Sequence, residues 1–334
     1  MKKVLITLVL FTIMFSCASC SMLGSTTQKY LNALNNTQTA DTLESKTETR
    51  ITIDLSKASD KAKKNLENLK EITFNSDESI DNKSEKMEMN NYISFGKYSW
   101  GTKMYINKDQ VFMKINDKYA KLSSLQDGNY ELENNELKKE YKEFSKELAD
   151  IWKKSIQKEI LSKEGNTIES TPDGDIKVTQ LSLELNDEKA KNILDNLAKL
   201  LYESDTIKKL AVENAKEYAK IEEEDKKELE KDINNWFNNL PQNMKDYKEN
   251  FAIENLKLTA KIDKDSYIIE EMFEGEIVIK TEGEIRIKFN TSTTRWNINK
   301  EIDIDIPEIT EENLIDEESF DDEMKETFEE LFGE

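Results

Sequence analysis

Cys17 and Cys20 are the only thiols in the chain and its most nucleophilic side chains, and both follow directly on the apolar run Val4 to Phe15. Two cysteines confined to the N-terminus leave the body of the chain without ligands for a zinc or iron–sulfur site and without a disulfide. Histidine is absent altogether. That removes the commonest general base, the commonest metal ligand and the middle member of most nucleophilic triads. What remains is oxygen chemistry: 69 acidic residues are spread over the sequence and no pair stands out as an acid–base couple. The stretch Asp77 to Glu88 puts oxygen side chains at positions 1, 3, 5, 9 and 12 of a calcium loop. Asn82 stands where such a loop needs glycine, Ser84 stands where it needs an apolar residue, and the exit has strand alternation, so a solvated loop is the better reading. The expectation is a protein that is not an enzyme and has no cofactor and no metal.

The formal charge is -21. A surface that repels phosphates gains nothing from counterion release, so nucleic acid is excluded as a partner. With 37% hydrophobic and 35% charged residues over 334 positions, the chain has material for a sizeable core, as one large domain or two, and also for long wet faces.

The N-terminus reads as an address. Lys2 and Lys3 precede the apolar run, and Phe15-Ser16-Cys17-Ala18-Ser19-Cys20-Ser21 follows it with small residues, which is the layout of an export signal. The run is shorter than the roughly 20 residues a membrane-spanning helix requires. A cysteine at the end of such a segment resembles the lipobox of bacterial lipoproteins, in which that cysteine is acylated and becomes the first residue of the mature chain. Cys20 has the favoured Ala18-Ser19 before it but Cys17 where leucine is usual; Cys17 abuts the apolar run but has Phe15 where a small residue is usual. Both stand as lipid-attachment candidates, with Cys20 preferred. The implied location is a cell-envelope membrane, with the body facing outside the cytoplasm.

The elements that follow alternate between two periodicities. Thr26 to Thr42 carries a modest helical pattern, Thr47 to Leu55 alternates as a strand, Ser56 to Lys70 reads as a short charged helix, and Glu85 to Phe95 reads as a second strand. From Gly101 to Leu122 a hairpin places Met104, Ile106, Val111, Met113 and Ile115 on one face. Between Tyr130 and Leu161, Leu137, Tyr141, Phe144, Leu148, Ile151, Trp152 and Ile156 recur at helical steps. After a strand at Ile176 to Leu185, Asn186 caps a helix, and further helical patterns run to a stop at Pro241. The alternation then returns from Leu256 to Ile306. From Glu308 onward 13 acidic residues meet only Lys325, which marks a solvated tail.

In this order, with the hairpin YINKDQVFMKINDKYAKL and the closing strands WNINKEIDIDIPEI, the chain resembles the lipoprotein-carrier superfamily of LolA, LolB and the LppX/LprG lipoproteins. The resemblance implies an α+β fold in which a strongly curved antiparallel sheet forms a half-barrel, with amphipathic helices packed on its concave face and a lipid held between. The chain is thus expected to divide into a lipoprotein signal peptide over 1–20, one domain of this kind over 21–307 with a helical block at 130–240, and an acidic tail over 308–334. Met104, Met113, Phe144 and Trp152 are the candidate cavity residues on that reading. The long helical block at 187–240 and the tail depart from the family pattern. The expected partners are the membrane, through the acyl anchor, and a lipid or other hydrophobic ligand; protein partners are left open. The alternative is a non-enzymatic surface-interaction or structural lipoprotein whose helices simply fill the core.

Overall fold

The computed structural model describes residues 26–108, 110–115, 118–121, 161–218, 223–280 and 283–315. The chain is α+β. Helix α1 (Thr26–Gln38) leads into β1 (Thr42–Ala58), the short α2 (Asp60–Leu66), β2 (Glu71–Asp81), β3 (Lys86–Phe95), β4 (Tyr98–Asn107), β5 (Gln110–Ile115) and β6 (Lys118–Lys121). Strands β7 (Ser162–Thr171) and β8 (Gly174–Leu185) precede three helices, α3 (Asp187–Glu203), α4 (Asp205–Tyr218) and α5 (Glu223–Asn250). Strands β9 (Phe251–Ile262), β10 (Ile268–Ile279), β11 (Gly283–Trp296) and the two-residue β12 (Leu314–Ile315) complete the order.

All the strands join one unclosed sheet of 12, in the order β12-β6-β5-β4-β3-β2-β1-β11-β10-β9-β8-β7. Among the described strands only β12 is parallel to its neighbour. The sheet is therefore assembled from both ends of the sequence. Strand β1 pairs with β2 on one side and with β11 on the other, from Glu44/Trp296 to Ala58/Gly283 with one register shift between Asp54 and Lys57. Residues 122–160 join β6, next to the β12 edge, to β7 at the other edge of the strand order.

Because side chains alternate across a strand, the register assigns every residue to one of two faces. One face is apolar over most of its width. Over β8–β10 it is sealed: Leu181, Leu183, Leu258, Ala260, Phe273 and Ile277 are buried in one cluster with Tyr30 and Leu31 of α1, Ile193, Leu194 and Leu197 of α3, and Leu240 and Met244 of α5. Helix α3 forms where the sequence predicts it. The Asn186 side chain accepts the Lys189 N–H at 3.0 Å, and Asp187 and Glu188 oppose the positive end of the helix dipole. Its Ala190, Ile193, Leu194, Leu197 and Leu201 make a stripe at three- and four-residue steps that faces the sheet. Asp187 also accepts the Ile253 N–H at 2.8 Å, which ties the start of the helix to β9.

Several expectations need correcting. Helix α5 does not stop at Pro241 but runs through it. A mid-helix proline removes a hydrogen bond and costs about 3 kcal/mol, and here the burial of Leu240 and Met244 on either side of it opposes that cost. Strand β2 is absent from the sequence reading, which treats part of it as a loop. In the structure Asp77 to Asp81 ends β2 and Lys86 to Glu88 begins β3, so the calcium-like spacing is spread over a hairpin, and no cluster able to hold a metal occurs among the described residues. The last predicted strand fails as well: β11 ends at Trp296, and Ile302, Ile304 and Ile306 lie in irregular chain, although Ile304 is buried. The predicted helix at Ser56–Lys70 shortens to α2 and one 3-10 turn, with Ser59 as its cap.

Candidate ligand-binding face

Met104 and Met113 are directly opposite each other across β4 and β5, and the same row continues in both directions. Read across the sheet it is Arg295, Ser45, Glu78, Met89, Met104, Met113 and Ala120. Three methionines on three adjacent strands thus form one continuous strip. Met87 lies next to it, opposite Ile106. The predicted alternation placed these side chains on one face; the register shows that they are neighbours. Of the other candidates, Phe144 and Trp152 lie outside the described residues, as do Cys17 and Cys20.

The two halves of the apolar face differ in cover. Over β8–β10 its large side chains are buried beneath helices. Over β2–β5, Ile72, Phe74, Met89, Ile93, Met104 and Met113 are all half-buried, although Val111 beside them on β5 is buried. Methionine suits such a surface, since its unbranched, polarizable side chain adapts to irregular partners.

Toward one end of the strands a polar strip lies between the halves. Along β11, β1 and β2 the apolar face carries Thr293 opposite Thr47 opposite Ser76, beside Arg295 opposite Ser45 opposite Glu78. The hydroxyls pair across strands: Thr47 with Thr293 at 2.9 Å and Thr49 with Thr291 at 3.1 Å. Glu271 of β10 receives the Tyr30 hydroxyl at 2.9 Å and lies 3.5 Å from an Arg295 guanidinium nitrogen. Burial lifts the Tyr30 hydroxyl well above its ordinary pKa of 10.0, and the Glu271 carboxylate adds to the shift. Tyr30 is therefore a fixed donor, and it holds α1 onto β10.

The opposite face is wet and studded with ion pairs. Arg286 meets Glu254, Glu276 and Glu284, and Lys261 meets Glu169 and Glu270. For Lys261, burial lowers the ammonium pKa but the two carboxylates more than reverse this, so it stays charged. These groups are matched donor to acceptor, and none is poised for proton transfer. Towards β6 the same face is buried, which the sequence does not foreshadow: Tyr105, Phe112 and Tyr119 are all under 10% exposed, and the Tyr105 and Tyr119 rings stand 6.1 Å apart. Tyr105 and Phe112 lie opposite the apolar set of the hairpin.

A separate depression of about 480 Å³ lies beside α1, lined by polar groups that include Gln28, Lys29, Asn32, Lys163 and Ser266. It is open, and it lies at the β7–β8 end of the sheet, away from the methionine strip. No described helix is long and apolar enough to cross a membrane.

No family model matches the chain, and no curated protein matches it. Among solved structures it is similar, at 8% identity and a TM-score of 0.19, to a β-barrel-like protein of the domain of unknown function DUF1849 from Brucella abortus, over 77% of this chain and 99% of that one.

Proposed function

We propose that this is an exported lipoprotein, tethered to a cell-envelope membrane through an acylated cysteine, that binds a lipid or other hydrophobic ligand on the half of its apolar sheet face spanning β2–β5. One observation carries the reading: on a single face, the large side chains under the helices are buried, while Met89, Met104, Met113 and their neighbours Ile72, Phe74 and Ile93 are only half-buried. An apolar surface of that extent rimmed by polar groups is what a site for an apolar ligand presents. The finer architecture belongs to the same proposal: a sheet curved into a half-barrel, with helices on its concave side. That α1, α3 and α5 all join the cluster on one face supports it. So does the reach of the β7–β8 turn to the end of β11, where Asp173 accepts the Asn297 N–H at 2.9 Å and pairs with Lys300 at 2.7 Å although β9 and β10 intervene in the strand order.

The test is native mass spectrometry of the purified chain together with uptake of a fluorescent lipid probe. Co-purified lipid or saturable uptake is expected. A ligand-free protein that takes up no probe would reject the carrier reading and leave a structural or surface-interaction lipoprotein.

The anchor is tested separately. Replacing both Cys17 and Cys20 with serine should abolish acyl-label incorporation and release the body from the membrane fraction, because a cysteine after a cleavable apolar segment has no other acceptor role here. Unchanged labelling would sink the lipoprotein assignment.

A further inference from the structure

The open depression beside α1 carries the opposite charge from the chain as a whole. Lys29 of α1 and Lys163 of β7 both line it and no carboxylate does, although the formal charge of the chain is -21. The strand register sets the two lysines close together. Lys163 is opposite Leu181 and Asn166 is opposite Thr179, so Lys163 and Thr179 occupy neighbouring positions on the helix-bearing face of the sheet. Lys29 Nζ donates to the Thr179 hydroxyl at 3.0 Å, and that hydroxyl donates to Asn166 Oδ1 at 3.3 Å, which holds the first ammonium over β8. Neither lysine has an ion-pair partner among the described residues. The acids next to the lining in sequence are engaged elsewhere: Glu164 with Lys257 and Gln180, and Asp265 with Lys264. Asn32 and Ser266 add an amide and a hydroxyl to the lining. Two ammonium groups beside neutral polar groups, in an open space of about 480 Å³, suit a phosphate that bears a small polar substituent.

The tether points to the source of that phosphate, and here the inference rests on the lipoprotein reading. Thr26 lines the depression and follows Cys20 by six residues. Six extended residues span at most about 20 Å, so an acyl group on Cys20 keeps the depression within reach of the head-group layer. The net negative charge does not prevent contact, because at physiological ionic strength it is screened beyond about 8 Å. Inside that distance the lining meets the bilayer with two cations and no acid. We propose that this depression takes the phosphate of a membrane phospholipid between Lys29 and Lys163, and so docks the α1 and β7–β8 end of the body on the membrane that carries the anchor.

The experiment follows the rate at which a water-soluble amine-acylating reagent modifies Lys29 and Lys163 in the acylated full chain, read by peptide mass spectrometry. The chain is placed in vesicles of phosphatidylcholine and phosphatidylglycerol, in phosphate-free vesicles of digalactosyldiacylglycerol, and in dodecylmaltoside micelles with and without glycerol 3-phosphate. Both lysines should react about fivefold more slowly in the phospholipid vesicles than in the other settings, the protection expected from a lysine held at a lipid phosphate. Lys163→Gln should reduce the protection of Lys29 without lowering the unfolding midpoint, because Lys163 is exposed and has no ion pair to lose. Equal rates in all settings would overturn the site. Equal slowing in galactolipid vesicles would overturn phosphate recognition, and equal slowing by glycerol 3-phosphate in micelles would overturn the membrane as the source. A chain that carries no acyl group and does not enter vesicles would instead overturn the tether on which the inference rests.

Discussion

Leu181→Ala is expected to destabilise the protein by about 2–5 kcal/mol, and Met104→Ala by about 1 kcal/mol, although the two side chains share one face of one sheet. Leu181 is 1% exposed and belongs to the cluster in which α1, α3 and α5 close over β8–β10. Truncating it removes dispersion contacts on every side and leaves a cavity that the packed helices cannot collapse into. Met104 is half-buried. Part of its surface has no protein neighbour to lose, so shortening it forfeits fewer contacts. The ligand measurement should show the reverse: probe uptake should fall in Met104→Ala and persist in a Leu181 variant that remains folded. Thermal unfolding of both variants, run beside uptake of a fluorescent fatty acid, checks the pair. If Met104→Ala costs as much as Leu181→Ala and uptake is absent, the β2–β5 half of the face is ordinary core and the carrier proposal fails.

The contrast between those residues also marks what sequence could and could not supply. Alternation identified β1, β9, β10 and β11 because Ile51 and Ile53, Leu258 and Ala260, Ile285 and Ile287 repeat at period two with charged residues between them. It missed β2 because Ser76 and Glu78 interrupt the apolar set between Phe74 and Ile80, and it missed β7 because SKEGNTIEST has hardly any apolar alternation to detect. As the terminal strand of the described sheet, β7 has a pairing partner only in β8, so its propensity counts for less than that pairing. The run Ile302, Ile304, Ile306 carried the strand signal without a partner to pair with, and it stayed irregular. For the candidate site, the face of each methionine was legible, but the row from Arg295 to Met113 was not. That row exists only because β1 pairs with β11 across some 240 residues of sequence, and no local pattern encodes so distant a register. Ser45 and Ser76 were unremarkable in sequence for the same reason, and their burial becomes visible only when the strands are placed side by side.

Separate expression of residues 26–125 and 126–307 should yield two chains that do not unfold cooperatively. The cut leaves β1–β6 in one piece and β7–β11 in the other, and so breaks the sheet at the β1–β11 seam, between two of its longest strands. At that seam Ile51 and Ile53 pair with Phe289 and Ile287 on the apolar face, and Leu55, Ala58 and Ala62 form a small buried cluster with Ile285. Each piece would expose a long unpaired edge and the apolar residues beside it, a template for association rather than for a monomeric fold. The helix is divided from its sheet as well: α1 travels with the first piece, yet it docks on the second, where Tyr30 binds Glu271 and the Thr37 hydroxyl accepts the buried Ile268 N–H at 2.9 Å. The first piece therefore loses the partner for its helix, and the second loses part of the cover over β9 and β10. Thermal unfolding followed by circular dichroism on each piece, and on an equimolar mixture, decides the matter. Recovery of a cooperative transition only in the mixture would show that the two pieces make one folding unit. A sharp, concentration-independent melt in each piece alone would mean that the seam is an interface between two domains that merely share an edge.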